Sequence, residues 1–409
     1  MPGPLTGVRV VEVATWIAVP ACGALMADMG ASVIKVEPQA GDAWRANRDV
    51  RGQVQRWQGN PAFEPDNRGK RGIAVNLDHP AVRDMMLRLV RDADVFMTNL
   101  VPARRARYGL TYEAMAAENP RLVYLAFSGY GDQGAERDRL GYDYTSYWSR
   151  SGVLDTMAEQ GGAPPMPRPA QGDHATASLL LAGVLAALYE RDRSGLGQQV
   201  SGSLVMSGLW SVTSDLQTTL VTGEAPPRAH REAPGNPLAS RYRAADGRWM
   251  MLFANRDGFW EAVCRALGMT GVEHDARFTT VAARAANSAA LVALLDAAIG
   301  RRTLADVGAA LDAAGVLWAP IQSLLDVIDD PQLRANDAFI TMDHPTYGPF
   351  ETINTPLAFS RSDVGPQGVA PEVGQHTEEI LLEAGFDWDT IARLVASGAV
   401  GVNTGAGSN

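Results

Sequence analysis

Gly172-Asp173 stands directly ahead of an apolar run with helical spacing, in which Leu181, Val184, Leu185 and Leu188 share one face. A carboxylate at a helix start has two readings, and spacing leaves both open. It caps the first turn by accepting from backbone N–H groups. Equally, those N–H groups and the positive end of the helix dipole stabilise an anion placed for nucleophilic attack. Basic residues gather at Arg68, Lys70 and Arg71, and again at Arg104, Arg105 and Arg107. They form either a solvated charged face or a phosphate site built from bidentate guanidinium contacts. The aromatics Trp16, Tyr142, Tyr144, Tyr147 and Trp148 fall in loops, where such side chains pack or line an acyl pocket. Gly129-Tyr130-Gly131-Asp132-Gln133-Gly134 has the G-x-G-x-x-G spacing of a dinucleotide loop, but the following Ala135 to Arg139 starts no apolar helix. The fingerprint is therefore incomplete, and the segment reads as a glycine loop at a strand end. Ser149-Arg150-Ser151-Gly152 lacks the nucleophile-elbow pattern.

Other chemistries find little material. The six histidines (His79, His174, His230, His274, His344, His376) form no H-x-x-x-H pair, and Cys22 and Cys264 lie far apart. Neither a metal set nor a disulfide framework is expected. Of 409 residues, 46% are hydrophobic and 20% charged, which fits a folded enzyme and excludes a disordered chain. A net charge of −10 argues against a nucleic-acid partner. A local basic pocket still binds an anion, because the local field decides. Glu12 interrupts the first apolar run and no basic leader precedes it, so no signal peptide is expected. The longest uncharged apolar stretch, Ala175 to Tyr189, falls short of the ~20 residues that span a bilayer. The expectation is a cytoplasmic protein with no membrane partner.

These candidates need a scaffold, and the chain supplies an alternating one. Val8 to Val13 and Ala31 to Glu37 read as strands around a helix at Ala18 to Met29, a βαβ unit. Strands at Gly72–Leu77, Ala93–Thr98 and Leu122–Phe127 alternate with helices at Pro80–Arg91, with Asp78 as cap, and at Thr111–Glu118. That pattern makes an open, doubly wound α/β sheet. Asp173 to Arg193 reads as a long helix ended by Gly195. A run of Pro and Gly between 223 and 237 reads as a linker, followed by a hairpin at Asp246-Gly247 and three helices of an α+β domain.

Taken in order, several segments resemble the family III CoA-transferases, which include formyl-CoA transferase, carnitine CoA-transferase and the 2-methylacyl-CoA racemases. They are Leu5-Thr6-Gly7-Val8, Gly30 to Pro38, Asn67-Arg68-Gly69-Lys70-Arg71, Gly141-Tyr142-Asp143, Gly172-Asp173, Ser194 to Gln198, Asp330-Pro331 and Gly374-Gln375-His376-Thr377. The likeness covers nearly the whole chain. It implies a Rossmann-like large α/β domain built from both chain ends, a smaller inserted α+β domain, and a homodimer of interlocked subunits. With the composition, this gives 1–222 as the first part of the large domain, 223–237 as linker and 238–329 as the small domain. Residues 330–397 return to the large domain and 398–409 form a flexible tail.

The resemblance also implies chemistry. Asp173 sits at the family's catalytic aspartate, whose carboxylate attacks an acyl-CoA thioester and passes through an anhydride and an aspartyl-CoA thioester. An acyl-CoA and a carboxylic acid acceptor are the partners; CoA thioester is a substrate, and no permanently bound cofactor or metal is expected. Asp143 falls where an acidic residue accompanies the nucleophile. Ile17, Ala18, Arg71, Leu77, Asn99, Leu100 and Arg107 match CoA-contact positions. Three departures stand out. Ile17 replaces a glutamine of the formyl-CoA transferases, which argues against formyl and oxalate as the substrate pair. A glycine-rich loop is missing around Asn255-Arg256-Asp257-Gly258. Tyr142 replaces the racemases' histidine, and a phenol of pKa ~10 is a poor proton shuttle at neutral pH. A 2-methylacyl-CoA racemase and a catalytically silent CoA-binding protein stay as alternatives to the transferase.

Overall fold

Strand β1 (Arg9–Val13) buries four of its five residues, as a strand in mid-sheet must. It pairs in parallel with β2 (Ser32–Glu37) on one side and β4 (Val95–Thr98) on the other. Strand β3 (Arg71–Val75) lies outside β2, and β5 (Val123–Ser128) and β6 (Gln199–Ser203) continue beyond β4, all parallel. Alternate residues serve opposite faces. Val10, Val95, Met97, Val123 and Leu125 pack with the helices Ala18–Asp28 and Gln171–Ser194. Val11, Val13, Phe96, Tyr124 and Ala126 pack with the helix Pro80–Arg91 on the other side.

The computed structural model describes residues 1–46, 57–254, 256 and 258–403. Two compact units emerge: Met1–Asp155, Met166–Gln217 and Asn336–Asn409 form one, Thr156–Pro165 and Thr218–Ala335 the other. The second unit holds an antiparallel sheet of β7 (Ala239–Arg243), β8 (Trp249–Phe253) and β9 (Trp318–Pro320) over its own apolar core. In the first unit, β10 (Phe339–His344) and β11 (Gly348–Ile353) make a hairpin. The chain then returns to the large sheet with β12 (Val400–Gly401), antiparallel against β3. The order β12-β3-β2-β1-β4-β5-β6 reverses direction between β1 and β4. Ligands of open α/β sheets bind in the crevice at that switch, beyond the strands' carboxyl ends.

Three local expectations change. The residues from Gly398 to Asn403 are not a frayed tail: Ala399 and Val400 are buried, and Asn76 N–H donates to the Ala399 carbonyl at 2.9 Å. The remaining positions, 404–409, lie outside the described residues. The Pro80 helix is capped by His79, whose ring nitrogen accepts from Ala81 N–H, while Asp78 pairs with Arg107. Asp173 is the third residue of its helix, which starts at Gln171, so it is not the cap. Residues 129–140 run as turns and open no helix, so the glycine spacing there makes no dinucleotide loop.

Candidate active site

The switch point carries a cavity of about 590 Å³. Its walls are the loop after β1, the loop after β4, a π-helical segment Asp143–Arg150 with the residues before it, and the first turn of the Gln171–Ser194 helix. Of the expected site residues, Ile17, Ala18, Asn99, Leu100, Tyr142, Asp143 and Asp173 all line it. They come from four stretches far apart in sequence and meet because the sheet order brings the ends of β1 and β4 together.

Asp173 projects from a helix start whose Ala170 cap position makes no side-chain hydrogen bond to the first-turn amides. Those N–H groups are therefore left without a side-chain cap, at the positive end of the helix dipole. The Asp173 carboxyl is lifted from 3.8 to about 7, first by burial and then by the nearby Asp143 charge, while His174 opposes both. Asp143 is itself raised by burial, although the Trp148 indole and the Ala170 and Gly172 amides lie close enough to temper the shift. No donor reaches hydrogen-bond geometry on either Asp143 oxygen. Gly172 makes the fit possible: a Cβ there would stand 2.2 Å from Asp143 Oδ1 and 2.4 Å from the Tyr147 ring. His174 turns toward Asp66, with Nε2 2.8 Å from Oδ1. Burial pulls the imidazole pKa down, but the Asp66 hydrogen bond and charge outweigh it and leave the pKa raised.

Backbone strain concentrates here. Among the described residues, Trp16 (φ 68°), Ala170 (φ 75°) and Asp337 are the non-glycines in the left-handed region, and the first two line the cavity. Each such residue costs ~1–3 kcal/mol and persists only where its surroundings impose it. The imposing contacts are visible. Asn99 spends its side-chain amide on the Thr15 backbone, donating to the carbonyl at 2.6 Å and accepting from the N–H at 3.3 Å. Asp42 accepts from Trp16 N–H at 3.0 Å. Trp16 then meets Tyr142 edge-on at 5.3 Å between ring centroids and Trp44 at 6.0 Å.

Other expected residues lie elsewhere. Arg71 begins β3, so it sits at the amino edge of the parallel sheet, opposite the cavity, and pairs with Glu379 and Glu383. Leu77 is half-buried against the apolar core. Arg107 is exposed, 2.5 Å from Asp78, while Arg104 of the same helix lines the cavity. Arg68 and Lys70 form no phosphate site: both are buried, on Asp28 and Glu12. Tyr147 packs in the core and hydrogen-bonds Ser211 at 2.7 Å. Trp44 and Asp42 were not legible as site residues, since their place depends on contacts across the loop after β2. The segment Asn255 to Gly258 is only partly within the described residues, Asn255 and Asp257 lying outside. Among the described residues, no group of three His, Cys, Asp or Glu side chains is placed to hold a metal ion.

A half-buried carboxylate at a helix start, in the switch-point crevice of a parallel sheet, is the site of an α/β enzyme. A family model described as CoA-transferase family III matches residues 5–377, and the chain belongs to that family. It is 31% identical to the (R)-2-hydroxy-4-methylpentanoate CoA-transferase of Clostridioides difficile, over 95% of this chain and 97% of that protein. It is 28% identical to the cinnamoyl-CoA:phenyllactate CoA-transferase of Clostridium sporogenes, over 95% of each chain. Among solved structures, a CAIB/BAIF family protein from Brucella suis matches with a TM-score of 0.82 and 30% identity, covering 94% of this chain and 100% of that one.

Proposed function

We propose that the protein moves CoA from an acyl-CoA to a free carboxylic acid through covalent intermediates on Asp173. The observation that carries this reading is the Asp173 carboxylate itself. It lines the cavity from the first turn of a long helix, and burial together with the Asp143 charge raises its pKa to about 7. A poorly solvated carboxylate is a stronger nucleophile than one in water.

Asp173 attacks the thioester carbonyl carbon. The C–S bond breaks, leaving CoA thiolate and an acyl-aspartyl anhydride. Thiolate then attacks the Asp173 side-chain carbonyl and releases the donor acid, giving an aspartyl-CoA thioester. The acceptor carboxylate attacks that carbonyl, re-forms an anhydride and frees thiolate. Thiolate finally takes the acceptor's acyl carbon, and Asp173 leaves as carboxylate. Each step passes an oxyanion, and the amides of the first helical turn are donors of the kind such intermediates need. Ile17, Ala18, Asn99 and Leu100 would flank the thioester arm. Arg104, with Arg107 and Leu77 beyond it, would take the nucleotide end.

Ile17, Trp16 and Tyr142 favour an acid with an apolar body, and the two relatives named above act on acids of that kind. On the family resemblance the active form is a homodimer of interlocked subunits with a Rossmann-like large domain, working in the cytoplasm. Exposed Met206 and Trp210 are consistent with a covered surface.

Mass spectrometry of the Asp173 peptide, after mixing the protein with pooled acyl-CoAs and quenching with hydroxylamine, tests the route. A hydroxamate at Asp173 that is absent in Asp173→Ala supports it. CoA transfer that survives in Asp173→Ala would overturn it.

A further inference from the structure

Asp42 is a buried carboxylate that ties down two tryptophans at once. Its Oδ1 accepts from Trp16 N–H at 3.0 Å and from Trp44 N–H at 2.9 Å. Its Oδ2 accepts from Lys35 Nζ at 2.8 Å, and the Asp42 N–H donates to Glu37 Oε2 at 2.9 Å. Lys35 donates in turn to the Ala14 carbonyl at 3.2 Å and sits 3.5 Å from Glu12 Oε1. The Lys35–Asp42 pair has no solvent exposure. One rigid charge pair thus grips the loop after β1 at Ala14 and at Trp16.

That grip falls on a residue that resists its own conformation. Trp16 has a bulky side chain at φ 68°, and its ring stands against Tyr142 and Trp44 in the wall of the cavity that Asp173 also lines. Freed from its acceptor, Trp16 has a lower-energy backbone at negative φ, which swings the indole out of that wall. Aromatic walls hold flat apolar groups by area and by edge-to-face geometry.

We propose that Asp42, clamped by Lys35, is the positioning residue of the acyl subsite, and that Trp16 so held selects acyl groups with a ring-sized apolar body over short ones. The inference rests on CoA transfer at Asp173. The test follows label exchange between each acyl-CoA and its own isotopically labelled acid, with acetyl-CoA and phenylacetyl-CoA as donors. No separate acceptor is needed.

Wild type should prefer phenylacetyl-CoA by about tenfold or more in kcat/KM, a ratio one apolar subsite supplies. Trp16→Ala should lose most of that preference, slowing phenylacetyl exchange several-fold more than acetyl exchange. Asp42→Asn should do the same at an unchanged circular-dichroism spectrum. Lys35→Met/Asp42→Leu, which removes both charges together, serves if the single variant does not fold. Wild-type exchange without preference, or a Trp16→Ala enzyme that keeps the preference, overturns the inference and leaves CoA transfer standing. So does an equal loss on both donors in every variant, the mark of a merely structural role. Exchange with neither donor in wild type would count against CoA transfer itself.

Discussion

A carboxyl group that titrates near 7 is divided between nucleophile and acid over the range in which an enzyme works. For Asp173 the division is set first by burial and second by the like charge of Asp143. Only the ionised form attacks, so kcat/KM should rise with pH along a limb near 7 and level off above it. Asp143→Asn removes the second cause, so the limb should move to lower pH, by roughly one unit. An unmoved limb would show that Asp143 does not act on the nucleophile. The same shift bears on stability. The folded state holds its Asp173 proton up to about 7, the unfolded chain only to about 3.8. The protonated group's contribution is therefore complete below 3.8 and is lost as pH rises through 7. Asp173→Asn should raise the melting temperature at pH 8, on the order of 2 °C, and leave it unchanged near pH 3. Equal melting at pH 8 would mean that the site stores no such penalty.

Elements decide where these side chains point, and not all of their geometry is written locally. The long helix, its Gly195 end and the alternating strands follow from periodicity, because each is a repeated local choice. The left-handed Trp16 does not, because a distant hydrogen bond to Asp42 helps impose it, and the π-helical turn at Asp143 and the left-handed Ala170 leave no periodic trace either. The same holds for Arg71. Its place in a basic cluster was legible, but its position at the amino edge of the sheet depends on strand direction. Gly172 shows how narrow the fit is. Its α-carbon leaves room for the Asp143 carboxylate and the Tyr147 ring, and a methyl group would overlap both. Gly172→Ala should therefore push the first helical turn away from the π-helical segment. It should cost about 1–3 kcal/mol in urea unfolding and lower kcat more than ten-fold by displacing Asp173. Near-normal kcat in a destabilised variant would show that the turn tolerates displacement.

At the scale of the molecule, the large sheet is completed by strands from both ends of the chain. Five strands of the parallel sheet were readable from the sequence's alternation, but their order and the short closing strand were not. Two residues carry too little pattern to read as a strand, and the Gly, Ser and Asn around them look like a tail. The structure gives that short strand several anchors. Val400 pairs with Val75, Thr377 Oγ1 donates to the Gly401 carbonyl at 2.7 Å, and Ala399 and Val400 are buried with Ile391 and Leu394. Ending the chain after Ser397 would strip these contacts and bare the edge of β3, leaving unpaired backbone groups that invite pairing with another chain. Two small apolar side chains and a few hydrogen bonds lost together amount to about 2–4 kcal/mol. The truncated protein should melt several degrees lower and aggregate on heating. Val400→Asp should reproduce most of the loss with the chain intact, because a carboxylate there has no partner in an apolar cluster. Both effects belong to a strand far from Asp173 along the sheet, so kcat per folded molecule should hold near the wild-type value. A truncated protein that melts like the full chain would mean that β12 lies against β3 without supporting it.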